Sequence, residues 1–338
     1  MNDVINRRQM LGLSAGIAMS SVPRRASAAD GAKYELRGVR KIWDSAPHNA
    51  FTDLARRGKE WFCVFREGKT HVSSDGALRV LTSKDGDAWE SAARVTFDGG
   101  DLRDAKVTVT PAGKLMLCGA VAYPKGGKHG HQSLAWFSDD GRTWSAAVPV
   151  GDPDYWLWRV TWQKGAAYGV GYGTADGTTR GTARLYRSGD GKTFEAWVPG
   201  LFQGGYPNES SLVFRGDETG LCLLRRDGAP LTGQLGISKP PYKEWTWKDT
   251  GTRIGGPSLM ELPNGRLVAV VRLYDGKVRT SVCTLDPSTG TVGEVLPLPS
   301  GGDCSYAGLV WHGDLLWISY YSSHEGKTSI YLAKVAIG

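Results

Sequence analysis

Apolar residues in this 338-residue chain fall in short runs, several of them alternating with polar positions, and no long stretch shows a helical period. Trp61-Phe62-Cys63-Val64-Phe65, Leu115-Met116-Leu117-Cys118, Leu221-Cys222-Leu223-Leu224 and the stretch from Leu309 to Tyr321 are representative. Clusters of Gly, Asp, Pro and Ser separate them. The predicted elements are therefore short β-strands joined by many tight turns. The 46 Gly and the 13 each of Trp and Tyr fit that reading, because Gly opens turns and aromatic rings favour a pleated, half-buried surface.

Three turn segments repeat: Ser83-Lys84-Asp85-Gly86-Asp87-Ala88-Trp89, Ser138-Asp139-Asp140-Gly141-Arg142-Thr143-Trp144 and Ser188-Gly189-Asp190-Gly191-Lys192-Thr193-Phe194. All approximate S-x-D-G-x-T-W, with Ala88 and Phe194 as departures. In such a turn the Asp accepts backbone N–H groups, the Gly takes a positive φ and the aromatic ring packs between neighbouring sheets. Their role is expected to be structural. Ser83 and Ser138 lie 55 residues apart, Ser138 and Ser188 lie 50 apart, and a further 50 reaches Ser238, where SKPPYKEWTW reads as a decayed copy. That period, with about four strands per unit, predicts an all-β fold, a β-propeller. Innermost strands are predicted to begin near Ala50, Arg103, Leu157, Glu209, Pro257 and Tyr306, which makes six blades. The strand Tyr34–Trp43 belongs to none of them. It is expected to pair with the last blade and close the ring, removing free sheet edges.

The innermost strand of each propeller blade runs along the central channel, so the six strand starts converge on one mouth. Here they are polar or aromatic: His48-Asn49-Ala50-Phe51-Thr52-Asp53, Asp101-Leu102-Arg103-Asp104, Tyr155-Trp156-Leu157-Trp158-Arg159, Pro207-Asn208-Glu209-Ser210-Ser211, Gly256-Pro257-Ser258 and Asp303-Cys304-Ser305-Tyr306. This concentration points to a ligand site at the mouth.

The bulk numbers narrow the partners. The formal net charge is +7, and three of those charges come from the four Arg and one Asp of residues 1–28. The remainder is mild and dispersed, with no long basic run, which argues against nucleic acid and suits an anionic glycan. Asn6-Arg7-Arg8-Gln9-Met10-Leu11-Gly12 with the following LGLSAGIAMSSV and Ala26-Ser27-Ala28 reads as a twin-Arg export signal with its cleavage site. Residues 1–28 are thus assigned as signal and 29–338 as one propeller domain, a periplasmic or secreted protein with no membrane span in the mature chain and expected to be a monomer. The Cys count is odd, at five; Cys63, Cys118 and Cys222 read as small buried apolar residues. Among the His residues only His129-Gly130-His131 has ligand-like spacing on one element, in a Gly/Lys-rich loop, so no metal or cofactor is assigned.

The chain resembles the sialidase (neuraminidase) superfamily of six-bladed propellers over roughly residues 34–338. Its repeated turn is similar to that family's Asp-box. Ser305-Tyr306-Ala307-Gly308-Leu309 resembles the surroundings of the family's Tyr nucleophile. Asn208-Glu209-Ser210-Ser211-Leu212 resembles those of its Glu base, and Arg225, sixteen residues on, corresponds to an Arg that holds the substrate carboxylate. For a further Arg of that clamp Arg279 fits best, with Arg272 as rival. Asp75, after Glu67-Gly68 and before the first repeated turn, takes the place of the acid/base. One departure stands out: where the family carries an Arg in an R-I-P motif, this chain has His48-Asn49-Ala50. Arg66 and Arg103 are candidates to substitute, with His48, His71, Asp53 and Trp158 as further substrate contacts.

The resemblance implies an exo-acting glycoside hydrolase that removes a terminal sialic acid or related acidic sugar with retention. A neutral Tyr hydroxyl deprotonated by Glu avoids the repulsion a carboxylate nucleophile meets at a carboxylate-bearing anomeric carbon. Two alternatives stay open. One is a polysaccharide lyase or other glycosidase acting on uronate-containing glycans; the other is a non-catalytic glycan-binding propeller.

Overall fold

The structure, a computed structural model, describes residues 31–338; the twin-Arg stretch and Ala26-Ser27-Ala28 lie outside the described residues. One strand, β1 (Tyr34–Trp43), precedes the first blade, which is β2 (His48–Arg57), β3 (Glu60–Gly68), β4 (Ala77–Ser83) and β5 (Glu90–Val95). The second blade is β6 (Asp101–Val109), β7 (Leu115–Ala122), β8 (His131–Ser138) and β9 (Val148–Val150), and the third is β10 (Tyr155–Gln163), β11 (Ala166–Gly173), β12 (Thr182–Ser188) and β13 (Glu195–Gln203). The fourth comprises β14 (Pro207–Phe214), β15 (Gly220–Arg226), β16 (Gln234–Ser238) and β17 (Thr246–Asp249). The fifth comprises β18 (Ile254–Glu261), β19 (Leu267–Leu273), β20 (Arg279–Leu285) and β21 (Val292–Pro297). The sixth has three strands of its own, β22 (Cys304–His312), β23 (Leu315–Ser322) and β24 (Ser329–Ile337), and takes β1 as its outermost, in the order β1-β24-β23-β22. All six sheets are four-stranded and antiparallel, and the described residues contain no helix. The expected six-bladed propeller, closed by the early strand, is what forms.

Closure is a matter of edges. The β1–β24 register runs from Tyr34 opposite Ile337 to Trp43 opposite Ile330, so the last blade's outer edge is covered by the chain's own N-terminal strand. A second tie sits at the inner end, where the Asn49 amide side chain donates to the Thr328 carbonyl at 2.9 Å.

The repeated turns form as their chemistry requires. Asp85 Oδ1 accepts the N–H groups of Asp87 and Ala88, and Asp140 and Asp190 repeat the pattern. These bonds hold the three carboxyls down at about 2. The decayed copy keeps part of the device: Trp245 Nε1 donates to the carbonyl three residues back, as Trp89 and Trp144 do. Antiparallel alternation puts these turns, between each blade's third and fourth strands, at the ring face opposite the innermost strand starts. Between blades the core is apolar. Phe62, Val64, Leu78 and Val80 of the first pack on Leu102, Val107, Leu115 and Leu117 of the second, each such side chain contributing about 1.5–3 kcal/mol.

One irregularity recurs in every blade. The first two strands slip register once, between Ala50 and Asp53, Arg103 and Lys106, Leu157 and Val160, Pro207 and Ser210, Gly255 and Ser258, and Ser305 and Gly308. Each slip is a bulge in the innermost strand, two residues facing one, and a bulge re-aims the side chains it contains. The bulged residues include Phe51, Asp104, Trp158, Glu209, Gly256 and Tyr306. Four of these have positive φ: Phe51 (62°), Asp104 (56°), Gly256 (50°) and Tyr306 (53°).

Candidate active site

Three bulges meet around Tyr306. Its ring packs edge-on against Phe51 (5.2 Å between centroids) and Trp158 (5.4 Å), and it is buried. Tyr306 Oη donates to Glu209 Oε1 at 2.6 Å. Arg225 Nη1 donates to both Glu209 oxygens, at 3.0 and 2.8 Å, and to Tyr306 Oη at 3.0 Å. Arg225 lies on β15 directly across from the bulge that holds Glu209, since Pro207 pairs with Arg226 and Ser210 with Leu224. Its far side is held by Asp227 at 2.8 Å.

The electrostatics are those of a nucleophile kept protonated at rest. Burial, then the Glu209 charge, pushes the Tyr306 phenol well above its usual range, against the opposing pull of Arg225 and Arg272. Burial disfavours the Arg225 charge, but Glu209 and Tyr306 outweigh it and raise its pKa, so it stays a guanidinium. Any loss of the Tyr306 proton therefore has one short route, to Glu209.

Arg272 completes this side of the channel. Its guanidinium carbon lies 5.2 Å from the Tyr306 ring centroid. It is anchored by the Cys304 carbonyl and by Tyr321 Oη at 3.0 Å. The structure does not bring Arg279 here: that residue starts β20 and is clamped by Glu294 of the outer strand at 2.7 and 2.6 Å. Arg272 is the fifth-blade Arg at the mouth.

The other expected residues divide. Arg66 is fully buried and its donors are consumed by Asp101, the Leu102, Thr70 and Ser73 carbonyls and the Ser73 hydroxyl. It fixes the loop 69–76 and does not stand free as a substitute clamp. Arg103 is paired with Asp101 at 2.7 Å. Asp53 is a buried knot, accepting from Arg159 Nη1 (2.8 Å) and from the Leu54 and Val107 amides. Trp158 serves as wall to Tyr306, with Lys106 Nζ over its ring at 4.5 Å. Asp75 is exposed on loop 69–76, where the Ser73 hydroxyl and then the Lys69 amide hold its carboxyl below the usual range. It makes no hydrogen bond to the Tyr306–Glu209–Arg225 cluster. His48 and His71 meet at Asp303 Oδ2, at 3.2 and 2.7 Å. The pair His129 and His131 diverges, one to Asp154 and the other to Thr174. All five Cys are free and buried.

Asp104 is a site residue that sequence reasoning left without a role. It is 8 % exposed, and its carboxylate takes no hydrogen bond from the described residues. Burial first, and the Glu209 charge in addition, push its pKa up to about 6 against the nearby Lys106. The Lys106 ammonium is itself lowered to about 8, by burial and then by Arg159. An available signal existed: Asp104 holds the first bulge position of its blade, as Phe51, Trp158 and Tyr306 do in theirs, with Glu209 at the second position of its own.

No family model matches the sequence, and no curated protein matches it. Solved structures do. A protein of unknown function from Dyadobacter fermentans superposes with a TM-score of 0.79 at 19% identity, covering 90% of this chain and 99% of the other. The chain has the sialidase-like six-bladed β-propeller fold. An α-L-arabinanase of Penicillium chrysogenum, solved with arabinobiose, gives 0.68 at 15% identity over 88% of this chain and 98% of that one. The Trypanosoma rangeli sialidase, solved with the inhibitor DANA, gives 0.67 at 13% identity. There the match covers 89% of this chain but only 59% of the sialidase. These identities speak for the sialidase-like fold alone; what the channel does is argued from its residues.

Proposed function

We propose that the protein is a retaining exo-glycosidase for a sugar bearing a carboxylate, of the sialic acid or a related acidic class. The observation that carries this is the 2.6 Å hydrogen bond from Tyr306 to Glu209 with Arg225 on both. A scaffold would not require a buried phenol, carboxylate and guanidinium to share one contact. Two Arg flanking the phenol favour an anionic sugar over a neutral one.

In the first step Tyr306 Oη bonds to the anomeric carbon, its proton passes to Glu209, and the bond to the leaving oxygen breaks as that oxygen takes a proton from Asp104. The product is a glycosyl-tyrosine. In the second step Asp104, now a carboxylate, takes a proton from water as the water attacks the same carbon, and the departing phenolate recovers its proton from Glu209. Two displacements give retention. Asp104 is preferred to Asp75 as the acid because its pKa is raised while that of Asp75 is lowered. The twin-Arg stretch supports export to the periplasm or beyond.

The test is a panel of fluorogenic acidic glycosides, sialosides and uronides, with the anomeric product followed by NMR. Turnover with retention supports the proposal. An unsaturated uronate product would replace it with the lyase reading, and binding without turnover of any member would replace it with the glycan-binding one.

A further inference from the structure

Beside Tyr306 lies a second cluster that the mechanism above does not use. His48, His71 and Asp303 come from three separate parts of the chain: the start of β2, loop 69–76, and the turn before β22. Each part is independently pinned. His48 is followed by Asn49, whose amide is tied to Thr328 and Ala46. Buried Arg66 holds the carbonyls of Thr70 and Ser73 on either side of His71. Asp303 exchanges backbone bonds with Ser323, its N–H donating to the hydroxyl and its carbonyl accepting from the amide.

The donor atoms converge. His48 Nε2 and His71 Nδ1 lie 3.2 and 2.7 Å from Asp303 Oδ2, and all three donor atoms fall within 4.8 Å of one another. Ligand atoms around a tetrahedral zinc at about 2.0–2.1 Å sit roughly 3.3 Å apart. The first distance is close to that, and the second must open by about 0.6 Å through a turn of His71, which its half-exposed side chain (54 %) permits. The carboxylate is divided between two tasks. Oδ2 faces the two imidazoles, while Oδ1 is held by Tyr321 Oη at 2.7 Å and Arg272 Nη2 at 3.4 Å. Outer hydrogen bonds of that kind orient a ligating carboxylate. The carboxylate is thus surrounded by the two imidazoles, the Tyr321 phenol and the Arg272 guanidinium, a donor-rich setting that suits its anionic form. His48 is 8 % exposed and its Nδ1 has no partner, so the ring can carry its proton on Nδ1 when a cation replaces the Nε2–H bond to Asp303 and Nε2 becomes the ligand.

We propose that His48, His71 and Asp303 bind one divalent transition-metal ion of the zinc class at the channel mouth, leaving its remaining coordination open to solvent or substrate. The site is one ring away from the reacting phenol. Phe51 stacks edge-on to His71 (5.1 Å) on one side and to Tyr306 (5.2 Å) on the other. Resting on the glycosidase reading, the ion has a use there. Arg225 is matched by Glu209 and Asp227 and Arg66 by Asp101, while Arg103 meets Asp101 through Nε and Arg272 keeps Nη1 without a partner among the described residues. A bound cation supplies the additional positive charge that a substrate carboxylate or a neighbouring sugar hydroxyl would seek.

The experiment needs no substrate. The untagged chain is stripped with a chelator, returned to chelator-free buffer and titrated with Zn²⁺ by calorimetry, with bound metal counted by plasma mass spectrometry. One zinc per chain is expected. His71→Ala, whose exposed ring makes it safe for folding, should weaken binding at least about 100-fold, and Tyr321→Phe, which removes the outer bond to Asp303 together with the Arg272 bond to the same hydroxyl, about 10-fold. His129→Ala should bind as the unmodified chain does, and thermal melts of the apo-forms check that each variant is folded. No stoichiometric zinc, or zinc retained in His71→Ala, overturns the proposal and leaves a plain histidine–aspartate cluster. Tyr306→Phe separates the two readings. It should bind zinc normally, and its effect on glycoside turnover bears only on the glycosidase.

Discussion

Tyr306 sits in a backbone conformation that an L-tyrosine seldom adopts. Its φ is 53°, and Ser305 before it has φ 92°. Two consecutive non-glycine residues at positive φ cost about 1–3 kcal/mol each, and such strain persists where surrounding structure over-determines it. Here the Phe51 and Trp158 rings and the Glu209–Arg225 pair do so. Tyr306→Phe keeps the ring and its packing and removes one hydroxyl, while the Arg225–Glu209 ion pair remains. It should lower kcat about 10²–10⁴-fold or more with little change in melting temperature, read by turnover and calorimetry on the same sample. Asp104 makes a pH prediction. As the proton donor it acts in its protonated form, and that fraction falls as pH rises through about 6. Activity limited by leaving-group protonation should therefore decline above about 6. Asp104→Asn should lose activity and abolish that limb of the kcat/KM profile; an unchanged limb would remove Asp104 from the acid role.

At the scale of the element, the bulge in each innermost strand turns a propeller wall into a site. Gly256 shows how tightly the six are fitted. Its φ is 50°, and a Cβ there would lie 2.7 Å from the Tyr306 ring. Gly113, at φ 79°, has open space around it. Gly256→Ala should thus cost about 1–3 kcal/mol more than Gly113→Ala in urea unfolding, and should impair turnover where Gly113→Ala does not. The starts of the innermost strands were legible because the turn chemistry repeats with the blade. The bulges were not, since a register slip depends on pairing between strands and leaves no mark in one strand's own alternation. That is why Asp104 went without a role. The exchange of Arg279 for Arg272 has a simpler cause. Arg272 lies on the second strand of its blade, as Arg225 does, pairing with Gly255 beside the bulge, whereas Arg279 starts the third strand, one strand further from the channel. His48, His71 and Asp303 lie on three elements and have no common spacing to read; only closure of the ring puts Asp303 beside the first blade.

The whole molecule depends on that closure. β1 covers β24 over most of its length, and the first and last blades meet where Gly308 lies so close to the Leu54 amide that a Cβ would come within 2.0 Å. Removing residues 31–43 should expose the β24 edge, lower the melting temperature and produce concentration-dependent association in size-exclusion chromatography. The site would loosen with it, because His48 and Thr52 of the first blade bond to Asp303, Tyr306 and Ser319 of the last. The same joint therefore supports both the fold and the reacting phenol. The most direct measurement on that phenol is trapping. A fluorinated acidic glycosyl donor that slows the second step is incubated with the protein, and the digested chain is read by peptide mass spectrometry. The account predicts one glycosyl adduct, on the peptide containing Tyr306 and absent from Tyr306→Phe. A turnover-competent protein whose adduct forms on another residue, or forms equally in Tyr306→Phe, would contradict it.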